Sequence, residues 1–169
     1  MGADRGELFD RFAAALKLVG GVATRVTSRD DALDEVRRLC GDQPAVVDDD
    51  PVLAGIAESL RVVPDPWAAD LGVSTAIAAV AETGSLAVTN DAAHPRSTSL
   101  VPPAHVAVVP DDRLVDGYAD AINRLAALDP TPSGMSMITG TSSTGDIEMT
   151  LVRGVHGPRE VHVIVYPAP

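Results

Sequence analysis

Nine consecutive residues, Gly140-Thr-Ser-Ser-Thr-Gly-Asp-Ile-Glu148, hold four hydroxyls, two glycines and two carboxylates. Ser142, Ser143 and Thr144 can donate hydrogen bonds to an anion, and Gly140 and Gly145 would let backbone approach it closely. Strand residues 135–139 precede this loop, and residues 143–151 read as a short helix. A strand, a Gly-Ser-Thr loop and a helix start together form a place to hold an anion, because free N–H groups and the helix dipole face it. The same hydroxyls are also good helix caps, and both readings stay open. Asp146 and Glu148 are acid/base candidates, although a spacing of two keeps them off one helix face. The Gly-Lys-Ser/Thr element of a P-loop is missing.

Two further clusters join this loop as site candidates. Glu82 lies in Ala81-Glu-Thr-Gly84 between apolar runs. Its carboxylate is costly to bury unpaired, so it is either a solvent-facing turn group or a functional nucleophile or base. Thr83 and Gly84 accompany it. His156 sits in Gly154-Val-His-Gly-Pro158, before Arg159. A histidine there, beside Gly157 and a guanidinium, suits acid/base work or recognition of a carboxylate. His94, next to Pro95 and Arg96, makes another polar loop cluster. The four histidines lack a metal-ligand spacing, and Asp48-Asp49-Asp50 reads as solvated helix-start charge rather than a cation site. No metal is expected.

The elements that must position these residues follow from periodicity. Leu8, Phe9, Phe12, Ala15, Leu16 and Val19 predict a helix over 7–19, stopped by Gly20-Gly21. A strand over 22–27 follows, then a helix capped by Ser28 and closed at Gly41. Strands are expected over 44–47 and 61–63, with a helix opening at Pro51 between them. Residues 71–88 read as two strands turning at Gly84, or alternatively as one helix across 73–82. Residues 95–103 read as a loop and 104–109 as a buried strand. A helix is expected from Asp111 to about Leu128, and a last strand over 160–166 with Val161, Val163 and Val165 on one face. Alternating helices and strands predict an α/β protein, a largely parallel sheet flanked by helices, in one domain over 1–169.

Bulk properties narrow the function classes. A net charge of −11 argues against nucleic acid and anionic membranes as partners. Residues 1–10 carry four charges and no apolar run, so no signal peptide is expected, and no run approaches the roughly 20 apolar residues of a membrane span. The expected location is the cytoplasm. Cys40 is the sole cysteine, so an internal disulfide is ruled out and a self-contained iron–sulfur cluster is not expected. Aromatic content is only 3%, so the core must come from Val, Ala, Leu and Ile.

Ala81-Glu-Thr-Gly-Ser-Leu86, Pro95-Arg…Ser99-Leu-Val-Pro-Pro103, Ser142-Ser-Thr-Gly-Asp-Ile-Glu148 and Gly154-Val-His-Gly-Pro158, in that order, resemble the LUD domain family over roughly residues 45–166. Residues 1–43 then supply N-terminal helices and a strand. The resemblance implies a fold similar to the sugar-phosphate isomerases and CoA transferases. It also implies a role in oxidising L-lactate to pyruvate, beside partner proteins that hold the redox and iron–sulfur chemistry, with no cofactor on this chain. Residue by residue, it maps Glu82, Thr83 and Gly84, then Ser142, Thr144, Asp146 and Glu148, then His156, Gly157 and Pro158 onto the family's motifs. Against the family pattern, Ser143 stands where a basic residue is frequent and Gly145 where alanine is, so this loop is less cationic. The expected function is a non-redox subunit of a lactate-oxidising system, with a small carboxylate or phosphate as possible ligand. A stand-alone transferase or isomerase using Glu82, and a metabolite-sensing module, are the alternatives.

Overall fold

A computed structural model describes residues 4–145, 151–153 and 156–168, with side chains for all of these but 144, 145 and 151–153. Helix α1 (Arg5–Leu18) starts where the Asp4 carboxylate accepts from the Gly6 N–H, and strand β1 (Val22–Arg25) follows it. Helix α2 (Arg29–Cys40) is capped by the Ser28 hydroxyl, which accepts from Asp31 N–H at 3.0 Å. Asp30 and Asp31 in its first turn and Arg37 and Arg38 in its last complement the helix dipole. Strands β2 (Pro44–Val47), β3 (Arg61–Val62) and β4 (Leu71–Thr75) come next, then β5 (Ala78–Val80) and β6 (Ser85–Asn90). Helix α3 (Arg96–Leu100), strands β7 (Ala104–Pro110) and β8 (Leu114–Val115), and helix α4 (Tyr118–Ala126) follow. Strands β9 (Gly134–Thr139), β10 (Ser143–Gly145), β11 (Leu151–Arg153) and β12 (Glu160–Tyr166) complete the order.

The main sheet has six strands in the order β1-β12-β7-β4-β2-β3, and every neighbouring pair in it is parallel. Its central strands are apolar on both faces, as a doubly covered parallel sheet requires. Along β7, Val106 and Val108 pack with Leu33, Val36 and Cys40 of α2, whereas Ala107 and Val109 pack with Phe12 and Leu16 of α1. Along β12, Val161, Val163 and Val165 share the α1 face, and Ile164 and Tyr166 turn to α2. This is the two-residue alternation of a strand, written into covered faces.

A second sheet, β8-β5-β6-β9, lies on the α1 side. Ala79, Leu86 and Val88 face the α1 cluster, while Ala78, Val80 and Ala87 face Ala121 and Leu125 of α4. The 71–88 region thus forms three strands rather than two or one helix. Its first strand joins the parallel sheet, and the other two make a hairpin turning at Gly84, which has φ +67°.

Four sequence expectations are corrected. The turns after Asp50, at Pro51–Leu53 and Ala57–Ser59, are single 3₁₀ turns and not a third α-helix. The span 95–103 contains helix α3, because Pro95 precedes its first turn and Pro102 follows its end, positions that bracket a helix rather than forbid one. Helix α4 begins at Tyr118 instead of Asp111, since Leu114 and Val115 pair with Ala79 and Val80 of β5. Residues 143–145 form a strand antiparallel to 151–153, so the helix expected over 143–151 does not start at 143 or extend to 151, and 146–150 lie outside the described residues. Ser and Thr side chains compete for nearby backbone groups and make poor helix interiors.

Candidate functional site

Glu82 is exposed at the β5–β6 turn. Its Oε2 accepts from the backbone N–H of Tyr118, the first residue of α4, at 3.1 Å, and its own N–H donates to the Asp116 carbonyl. The carboxylate therefore serves a helix N-terminus, where negative charge is stabilised. Thr83 continues into a hydroxyl chain, with Oγ1 2.7 Å from Ser85 Oγ, which lies 2.7 Å from Thr139 Oγ1. Gly84 is where α1 meets the hairpin, since an added Cβ would sit 2.4 Å from the Leu16 nitrogen.

Gly140 serves the same helix from the other side. It has φ +67°, and a Cβ there would lie 2.2 Å from the Val19 carbonyl oxygen. Ser142 N–H donates to the Pro158 carbonyl at 2.9 Å, and Ser143 Oγ donates to the Thr141 carbonyl. Ser142 and Gly157 are in contact, because a Cβ on Gly157 would be 3.2 Å from Ser142 Cβ. The structure thus brings the hydroxyl loop and the His156 motif together. Thr144 and Gly145 are described by backbone only, within β10, and Asp146 and Glu148 lie outside the described residues. With a strand at 143–145 where the helix was expected to start, the anion-at-a-helix-start reading has no helix to rest on among the described residues.

His156, Gly157 and Arg159 border a cleft of about 490 Å³ whose other walls are Trp67, Leu100, Val101 and Pro103. Three elements build it. The Asp65 carboxylate accepts from Trp67 N–H at 3.0 Å and holds the turn before β4. Leu100 to Pro103 join α3 to β7. The Arg159 N–H donates to the Pro103 carbonyl at 2.8 Å, tying the segment before β12 to the one before β7. The cleft consequently opens at the amino ends of β4, β7 and β12, not at the carboxyl ends where ligands of open α/β sheets commonly sit. Glu82 is not among its lining residues.

At the carboxyl end of β2 the structure assembles a cluster that sequence reasoning read as solvated charge. Asp48 is only 7% exposed, and its Oδ1 has no hydrogen-bond partner among the described residues. Burial pushes its pKa up to about 6, although Thr98 and the nearby His94 pull the other way. His94 is held at both ring nitrogens, with Nδ1 2.9 Å from Asp91 Oδ1 and Nε2 3.1 Å from Asp50 Oδ2. A carboxylate at each ring nitrogen favours the imidazolium, which donates at both. Burial of the ring opposes the charge, but the two carboxylates outweigh it and raise the His94 pKa. No group of three or more His, Cys, Asp or Glu among the described residues is arranged to hold a metal ion.

His105 was also missed. It is fully buried within β7, its Nε2 2.8 Å from Ser74 Oγ and its Nδ1 without a partner among the described residues. Burial pushes its pKa down to about 4. A histidine inside the apolar run 104–109 was the available signal, since polar groups in such strands are costly unless satisfied.

A largely parallel sheet covered by helices on both faces defines an α/β protein. The LUD domain family model matches residues 67–166, a span that contains every cleft residue, and the chain belongs to that family. It is 35% identical over 116 residues to lactate utilization protein C of Oceanobacillus iheyensis, covering 66% of this chain and 49% of that protein. It is 37% identical over 101 residues to lactate utilization protein C of an Exiguobacterium strain, covering 57% and 44%. The chain spans about half the length of the curated relatives it matches. Its fold is shared with the crystal structure of a DUF162 family protein from Deinococcus radiodurans, at a TM-score of 0.71 and 21% identity over 98% of this chain and 99% of that one.

Proposed function

We propose that this chain acts in lactate utilization, as a non-redox subunit of a system oxidising L-lactate to pyruvate. The observation that carries this reading is the match to proteins named lactate utilization protein C, at 34–37% identity in several organisms. In this reading, partner proteins hold the iron–sulfur clusters. The chain has one cysteine, Cys40, buried and donating to the Gln43 carbonyl at 3.3 Å, so its own thiols cannot ligate a cluster of the four-cysteine type. Among the described residues no helix is long and apolar enough to cross a membrane.

Anaerobic affinity purification of the tagged chain from its host, grown on L-lactate, tests the reading. Iron–sulfur proteins recovered in fixed ratio, and lost when the host lacks the partner genes, are the expected result. An iron-free chain recovered alone, with lactate growth unaffected by its deletion, overturns it.

A further inference from the structure

Trp67 is the sole tryptophan of the chain and is 82% exposed, at the rim of the cleft that holds His156 and Arg159. One exposed ring means little by itself, but beside a cleft it offers a flat apolar face to a ligand. The lining of the cleft divides in two. Leu100, Val101, Pro103 and the indole form an apolar part, and Arg159 with His156 forms a polar part. Among the described residues no carboxylate lines it, in a chain whose net charge is −11. Arg159 is the fixed cation of that lining, and it gives an anionic headgroup a partner there.

Size separates the occupant from small acids. A cleft of about 490 Å³ is within the usual range for organic ligands, and holds about 16 water volumes of roughly 30 Å³ each. A three-carbon acid would leave most of it wet. An anion with a planar apolar body fills both parts. Its headgroup pairs with the Arg159 fork, and its body lies against Trp67 and Pro103. The backbone bond from Arg159 N–H to the Pro103 carbonyl holds these two walls in fixed relation before any ligand arrives.

We propose that the Trp67–Arg159 cleft is a binding site for an organic anion with a planar apolar body, larger than lactate or pyruvate. The site does not depend on the lactate-oxidation reading, and it can be tested on the isolated chain. One tryptophan means one indole N–H resonance in a ¹H–¹⁵N spectrum, and that resonance reports the cleft directly. Benzoate is the probe, with benzamide as its neutral isostere and acetate as the headgroup alone. Benzoate is expected to shift the indole resonance saturably, with a Kd in the millimolar range, and the other two at least about tenfold more weakly. Arg159→Gln should remove the preference for benzoate over benzamide, and His156→Gln should reduce it. Both side chains are exposed, and an otherwise unchanged spectrum will show that the variants fold. No saturable shift with benzoate, equal shifts with benzamide, or an unaltered preference in Arg159→Gln each overturns the proposal.

Discussion

Glu82 Oε2 accepts the backbone N–H of Tyr118 at 3.1 Å, across 36 residues of sequence, and so caps helix α4 from the neighbouring hairpin. Glu82→Ala removes the acceptor and should destabilise the protein by about 1 kcal/mol, the usual worth of a cap. In a chain of this size that lowers Tm by about 2–4 °C. Glu82→Gln keeps an oxygen at the same place and should cost less than half as much. Thermal melts of the two variants check the order. The Gln variant also separates roles, because it keeps the cap while removing any nucleophile or base. Loss of a CoA-transferase or isomerase turnover in a fully stable Glu82→Gln protein would revive the stand-alone enzyme reading.

The cluster at the carboxyl end of β2 makes the fold favour mildly acidic pH. His94 gains its proton more readily in the folded state than its ordinary 6.5, so its stabilisation is complete below that value and fades as pH rises through the folded pKa. Asp48 acts in the same direction. Its folded pKa of about 6 lies above the ordinary 3.8, so burial costs little while it is protonated and more once it ionises. Asp48→Asn should therefore stabilise the protein by up to about 3 kcal/mol at pH 8 and by about half as much at pH 5, the effect vanishing only below the ordinary 3.8. Urea melts at the two pH values check this. A gain at pH 5 that equals or exceeds the gain at pH 8 would contradict it.

His105 opposes that trend from the acid side. Its folded pKa of about 4 lies below 6.5, so the neutral ring's contribution is complete above 6.5 and is lost as pH falls toward 4. The wild-type protein should lose up to about 3 kcal/mol across this window from His105 alone. His105→Gln can still meet the Ser74 hydroxyl but does not titrate. It is expected to start less stable at pH 7 and to show a flatter acid limb. An acid limb as steep as the wild type's would assign the loss to other groups.

Gly72 and Gly41 are predicted to respond differently to alanine. At Gly72 a Cβ would fall 1.8 Å from the Thr98 carbonyl oxygen, so Gly72→Ala must push α3 off strand β4. Overpacking of this kind costs about 1–3 kcal/mol or more, and it should also disturb the cleft wall at Leu100. Gly41 has φ +53° with nothing within 4 Å of an added Cβ. Gly41→Ala meets only a backbone penalty, about 1–3 kcal/mol for a conformation that favours glycine. Comparing their melts, with the Trp67 indole resonance as a local probe, tests both statements. Only Gly72→Ala should move that resonance.

Local chemistry was readable where the chain interacts with its near neighbours. Ser28, with Asp30 and Asp31 behind it, marked the start of α2, and Gly41 marked its end. The run from 104 to 109 could only be a strand buried on both faces, and Val161, Val163 and Val165 declared one face of β12. Those signals have periods of two or 3.6 residues, so they survive without tertiary information. The four family motifs were legible for the same reason, as short runs of fixed residue types.

What only the tertiary structure decided was which partner each ambiguous segment meets. Leu114 and Val115 fit a helix stripe equally well, until Ala79 and Val80 offer them a strand edge. Residues 143–145 could begin a helix, but pairing with 151–153 satisfies their backbone in a hairpin. Asp48 looked solvated because nothing local covers it; Thr98, in helix α3, and His94, just before it, are more than 40 residues away. Trp67, from a turn before β4, reaches Arg159 only because β4 and β12 both flank β7 in parallel. Apart from the local 143–153 pairing, each of these outcomes depends on a long-range contact that closes a loop of dozens of residues, and such closure leaves no periodic mark in the chain itself.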